Sequence, residues 1–527
     1  MMMNEFIDGM QEGEVPGGWT CGTCTFSNSA YMPQCETCEA PRCETANGAV
    51  SRTTTNSGCV DMFNLCRGAP PDLIAKTLEN AFKEEVLLTM KIFVYLRDSR
   101  GGKGEREIHR IIMKKMASSE EMSHYLRINL HHLPTFGRWD DLVFCMGTLL
   151  ESDVIKLVVK QLTADKAAMK EPESSMSVSL LGKWFPSEGK KLDRETKICS
   201  KVAKHMKISK GALRKEYLTP LREHLKILET KMCTGEWDTI DFSHVPSMAM
   251  QIHSKPKNAF RKRCPERFEA WMEDVKLGKN GAKLNASQLF AHTIVEQYYS
   301  GRAEDILLEE SWNQQVQKIK NLGTLGSTLV LSDVSASMMC AKGIPMFVSI
   351  AMGILISTSL PEPWKNNIMT FSSVPTWHKL VGSTLHAQVK SLRSADWGGT
   401  TNLQAVFDII LRKATENRIP AKDMPTRIII VSDMQFDTAC SDNKKTNFDR
   451  IDDLYRKAGY SRPNLVFWNV NGRTTAFPTG CDERGVSLIS GFSVDILKAI
   501  LGEEVLTPYE TMLNALGHPR YDAIHTS

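Results

Sequence analysis

The spacing of apolar residues changes near residue 321. From Pro71 onward Ile74, Leu78, Phe82 and Val86 recur every four residues, with Leu73 and Leu87 beside them. That is one face of a helix. Further helical patterns lie at 84–97, 104–118, 139–151 and 152–164, and strand-like alternation is scarce. Residues 65–320 therefore predict an all-helical array, with stacked helix pairs as its expected plan. No repeat of fixed length emerges from the spacing. Beyond 321, short apolar runs at 328–332, 367–371, 427–432 and 464–470 alternate with helical stretches at 341–358, 402–416, 446–458 and 493–501. This order predicts a doubly wound α/β sheet over 321–508. Residues 1–16 read as a disordered leader, 43–64 as a linker and 509–527 as a polar tail.

Chemistry collects where the predicted strands end. The run Leu329 to Leu331 meets Asp333, Ser335 and Ser337 almost at once. Gly398-Gly399-Thr400 precedes a predicted helix, and Asp433 follows the strand Ile428 to Val431. Carboxylate and hydroxyl oxygens suit a hard cation such as Mg²⁺. Asp-x-Ser-x-Ser, a later Gly-Gly-Thr and a later strand-end Asp resemble the von Willebrand factor A domain, with Ala336 in place of the usual glycine. The resemblance implies that Asp333, Ser335, Ser337, Thr400 and Asp433 form a metal-ion-dependent adhesion site. Through Mg²⁺ that site would accept an acidic side chain from a protein partner.

Near the start, residues 17–42 carry Cys21, Cys24, Cys35 and Cys38 as two close pairs, behind Trp19 and around Asn28. Such pairs can place four thiolates around one Zn²⁺. So short a segment cannot fold on an apolar core alone, and the metal would supply the folding energy. The pattern is similar to the Ran-binding-protein (Npl4) type of zinc finger. One branch of that family reads RNA with arginines, and residues 25–34 contain no Arg or Lys. The other branch binds ubiquitin through a Thr-Phe pair, here Thr25 and Phe26. The resemblance thus implies ubiquitin or a ubiquitinated protein as a partner.

The 527 residues carry a formal net charge of only +4, so global charge announces no nucleic acid. Locally the balance differs. Residues 181–230 hold 13 basic and 6 acidic residues. Lys255, Lys257, Arg261, Lys262 and Arg263 follow without an acid between them. Arg100, Lys103 and Arg106 sit in a glycine-rich segment that could cradle an anion or serve as an interhelical turn. These are the candidate RNA-binding residues. Arg97-Asp98 with this loop, Gly137 to Leu142, Lys183 to Pro186 and Tyr217 to Arg222 resemble an uncharacterised family joining a helical region to an A domain. Its plan is distantly similar to the TROVE and Ro RNA-binding proteins, which implies structured or single-stranded RNA as an alternative ligand.

No Ser-His-acid order or Gly-x-Ser-x-Gly elbow is present, so a binding scaffold is expected rather than an enzyme. A metal-dependent hydrolase is the least favoured alternative. Fourteen scattered cysteines without a signal-peptide pattern predict a reducing compartment, cytoplasmic or nuclear. No membrane association is expected.

Overall fold

The computed structural model describes residues 19–20, 27–28, 37, 51–170, 177–286, 288–323, 326–360, 362, 364–370, 376–393, 403–435, 447–473, 476–502 and 505–527. A large helical region precedes a smaller doubly wound α/β unit. Near the start, β1 (Trp19–Thr20) pairs antiparallel with β2 (Ser27–Asn28). The main sheet holds β3 (Thr328–Ser332), β4 (Asn367–Thr370), β5 (Thr376–Lys379), β6 (Arg427–Ser432), β7 (Asn464–Asn469) and β8 (Val486–Ser490). Their order is β5-β4-β3-β6-β7-β8. All neighbours are parallel except β4 and β5. The chain leaves β3 toward β4 and returns on the far side at β6, so the carboxyl ends of β3 and β6 flank the switch point where such sheets form a crevice.

Every residue of β3, β6 and β8 is buried, the pattern of strands covered on both faces. The helix Cys340–Ser359 packs directly on this sheet. A Cβ at Gly353 would strike the Ser332 hydroxyl, so glycine there lets helix and strand approach. The stretch Ala336–Ser359 is long and apolar enough to cross a bilayer, although no such run was expected. Most of it is buried inside the protein as the sheet's central cover.

In the helical half, Ile74, Leu78 and Phe82 lie buried on the helix Pro71–Glu84, as their spacing predicts. Pro71 stands at its first turn, where a missing N–H costs nothing. The predicted helix at 139–151 is instead a 3₁₀ segment, Trp139–Cys145. The Arg138 N–H donates to Asp141 at its start, and Gly147 turns the chain with φ 78° beyond its end. A second, smaller core forms between Leu228 and Leu307 around Phe242, Phe260, Phe268 and Trp271.

The boundary expected at 320/321 is not a boundary of packing. One continuous core runs from the helical region into the sheet. Part of the expected linker is folded as well. Arg52 bridges antiparallel to Phe477, Cys481 N–H donates to Thr55 O at 2.8 Å, and the helix Gly58–Phe63 is largely buried. The expected polar tail is a clamp. The helix Pro508–Leu516 and the turn Pro519–Tyr521 return to the helical region and bury Met512, Leu516, Tyr521 and Ile524. These apolar residues fall in pairs or singly among polar ones, so no longer run betrayed them.

Asp98 is the clamp's anchor. It is fully buried and accepts from Arg520 Nε at 2.5 Å, Arg520 NH2 at 3.1 Å and the Tyr521 hydroxyl at 3.1 Å. Removing one partner of a buried charge pair leaves the other uncompensated. Asp98→Ala should therefore cost about 3 kcal/mol in urea unfolding and expose the tail to carboxypeptidase. A loss below about 1 kcal/mol with the tail still protected would show that apolar burial alone holds it.

Candidate functional site

The expected sheet-edge residues converge in part. Asp333 follows β3 and Asp433 follows β6, two strands paired in parallel with Ser332 opposite Val431. Both strands end in the same pair, Ser332-Asp333 and Ser432-Asp433. The structure gives Ser432 a role that was not foreseen: its hydroxyl donates to Asp333 Oδ2 at 2.6 Å. The repeated Ser-Asp ending was the available signal. Asp333 Oδ1 accepts the Ser335 N–H at 2.9 Å, and the Ser335 and Ser337 hydroxyls lie 3.0 Å apart. Asp433 Oδ1 accepts the Gln435 N–H at 3.3 Å. From the end of β7, Asn471 reaches Cys340 Sγ at 3.5 Å.

Both carboxylates are buried. Burial pushes Asp333 up to about 6, with the Asp433 charge adding and the Ser432 and Ser335 hydrogen bonds opposing. Burial also raises Asp433, against the Ser337 hydroxyl and the Gln435 N–H.

The metal-dependent reading does not survive this arrangement. Among the described residues, no group of three or more His, Cys, Asp and Glu could hold a metal ion. The sheet edge brings two carboxylates together, and hydrogen bonds from the protein itself occupy their oxygens. A cation would have to displace these bonds while finding too few anionic ligands to replace its water. Thr400 lies outside the described residues, as do Cys21, Cys24, Cys35 and Cys38 and the pair Thr25 and Phe26. The described residues thus supply neither the Mg²⁺ nor the Zn²⁺ site expected from the motifs.

The candidate RNA residues divide. Lys103 is wholly buried, so it is unavailable to a ligand. Its ammonium donates to Phe63 O, to Leu65 O at 3.1 Å and to the Ser490 hydroxyl at 2.6 Å. Arg261 is also engaged internally, donating to Ser254 O at 2.8 Å and reaching Asp305 at 3.4 Å. Arg100, Arg106, Lys255, Lys257, Lys262 and Arg263 are exposed. The neighbouring acids Asp140 and Asp141 are structural. Asp141 holds Arg97 at 2.7 Å and Arg110 at 2.8 Å, and Asp140 holds Arg110 at 3.2 Å.

Helical region, α/β unit and interlocked termini together define one kind of multidomain chain. Residues 45–132 and 148–325 match the family described as a domain of unknown function, DUF2828, and the chain belongs to that family. Residues 327–518 match a second domain of unknown function, DUF7788. The chain is 31% identical over 506 residues to "Uncharacterized protein L728" of Acanthamoeba polyphaga mimivirus, covering 90% of this chain and 86% of that one.

The raised carboxyl of Asp333 has a consequence for stability. Its folded value of about 6 exceeds its ordinary 3.8, so the folded state holds the proton more tightly. That contribution is fully present below the unfolded value and is lost as pH rises through the folded one. Asp333→Asn should therefore gain Tm relative to the unaltered chain as pH rises between these two values, with no further gain above them. A Tm difference that does not vary with pH would mean that the carboxyl titrates normally.

Proposed function

We propose that the chain acts by binding rather than by bond breaking, and that its helical half holds RNA on two exposed basic faces. The observation that carries this reading is the exposure of cations at helix ends and turns from Lys190 to Lys226. Lys190, Lys191, Arg194, Lys204 and Lys215 all face solvent. The second face belongs to the smaller core, where Lys255, Lys257, Lys262 and Arg263 are exposed around the short helix Ala259–Arg263.

Clustered cations on a near-neutral chain attract a polyanion, and each neutralised phosphate releases counterions. Aromatic rings stand within the basic region. Arg138 lies 4.0 Å from the centroid of the Trp184 ring and Lys166 lies 3.9 Å from that of Tyr217. Both rings are half-buried, and rings among cations suit unpaired bases. The eight cysteines described are all free, which fits a reducing compartment, cytoplasmic or nuclear. We read the α/β unit as von Willebrand A-like in plan, on the strength of its strand order and single antiparallel edge strand. In this reading it is the scaffold against which the helices are set.

Binding of the full chain to RNA should weaken steeply with salt. Joint charge reversal, Lys255→Glu, Lys257→Glu, Lys262→Glu and Arg263→Glu, should weaken it for every sequence tested. The log–log salt slope should shrink by about 0.7 for each single-strand phosphate no longer neutralised. Absence of binding at low salt, or binding indifferent to salt, would overturn the proposal.

A further inference from the structure

Eleven residues other than glycine hold a positive φ among those described, and five are lysines. Four of the five lie in the basic stretches of the helical half: Lys197 (φ 56°), Lys207 (57°), Lys226 (48°) and Lys257 (67°). Left-handed backbone crowds the Cβ of an L-residue, and glycine, asparagine and aspartate are the usual occupants. Lysine has no local hydrogen bond to offer in exchange.

The same helix ending is built with glycine elsewhere in this chain. Gly235 (φ 79°) closes the helix Leu228–Thr234, with Glu236 N–H donating to Lys231 O at 3.0 Å. Gly459 (φ 80°) does so with Tyr460 N–H on Tyr455 O at 2.9 Å. Across Lys207 the corresponding bond is Ile208 N–H to Ala203 O at 3.0 Å, and across Lys226 it is Ile227 N–H to Arg222 O at 3.3 Å. At Lys207 and Lys226 the geometry is therefore available to glycine, and lysine is not required for it. Charge pairing does not explain the choice either. All four side chains are exposed, and no ion pair reaches them among the described residues. Lys201 and Lys210, by contrast, are paired with Glu151 at 2.8 Å and Glu188 at 2.9 Å. A cation does favour a helix C-terminus, which is the purely structural account that a test has to separate.

We infer that Lys197, Lys207, Lys226 and Lys257 are phosphate contacts for single-stranded RNA, held at the cost of backbone strain because an uncompensated ammonium is needed at each turn. The inference rests on the RNA reading above and names the residues that carry it. Recognition through phosphates is indifferent to base, so affinity should follow length and salt rather than sequence.

The experiment uses the full chain and a fluorescein-labelled oligouridine about 20 nucleotides long, read by anisotropy over a salt series. The fourfold Lys→Gly variant should bind at least about tenfold more weakly at low salt, with a slope smaller by about 2 to 3. Its Tm should hold or rise, because glycine relieves the strain. The fourfold Lys→Arg variant keeps the charge and should keep both affinity and slope. Unchanged affinity and slope in the glycine variant, while the unaltered chain binds, would overturn this assignment alone. A fall in Tm would assign the lysines to helix capping and would also overturn it. Failure of the unaltered chain to bind the RNA would overturn the assignment together with the RNA reading.

Discussion

The structure depends on one buried lysine. The Lys103 ammonium sits where the N-terminal helix, the loop after Arg97 and the end of β8 meet, and it donates to two backbone carbonyls and to the Ser490 hydroxyl. Ser490 donates in turn to Asn64 O at 2.7 Å. Burial drives the lysine down to about 7 and raises the adjacent Glu105, so neither charge is comfortable there. Arg67 offsets Glu105 at 3.3 Å, and its guanidinium lies 4.7 Å from the centroid of the Phe492 ring. The group is retained because three acceptors from distant parts of the chain share one donor. Without it, the Phe63 and Leu65 carbonyls would lose a buried donor, while Ser490 would keep its bond to Asn64 O. Gly102 makes the turn possible, since a Cβ there would meet the Tyr95 carbonyl.

That knot explains why the two halves are not separable modules. The N-terminal segment reaches the sheet through Arg52 and Gly472, and the C-terminal helix returns to the helices through Asp98. Each half is completed by chain from beyond the other. The continuous core across residue 321 follows from this interlock, and cutting there would expose buried surface on both sides.

Much of this was legible in the sequence wherever a residue's neighbours in the chain decide its fate. The strands β3, β4, β6 and β7 announced themselves as apolar runs, and Asp333 as the acid at a buried strand end. The edge strand β5, Thr-Trp-His-Lys, lacks an apolar run, and two serines interrupt the apolar residues of β8. Lys103 looked like a loop cation available to an anion because nothing nearby in sequence reveals three acceptors arriving from elsewhere. Tyr521 and Ile524 looked like tail residues for the same reason. Asp333, Asp433, Ser335 and Ser337 do gather at the sheet edge, but their reading as a metal site was wrong. Spacing shows which oxygens converge, but not that Ser432 and the Ser335 N–H already occupy them.

Charge completes the comparison between the two ends of the molecule. At the sheet edge and in the glycine-rich loop, the buried charges and polar groups are answered from within the protein. On the helices beyond Lys190 the cations are largely left unanswered. Residues 181–230 carry a clear positive excess, 13 basic against 6 acidic residues, in a chain of net charge only +4. A polyanion approaching the molecule is drawn toward these basic helices, which sets orientation before any contact forms. This attraction needs no metal and no catalytic group. It persists through local rearrangement, because it depends on where the lysines are and not on any one bond.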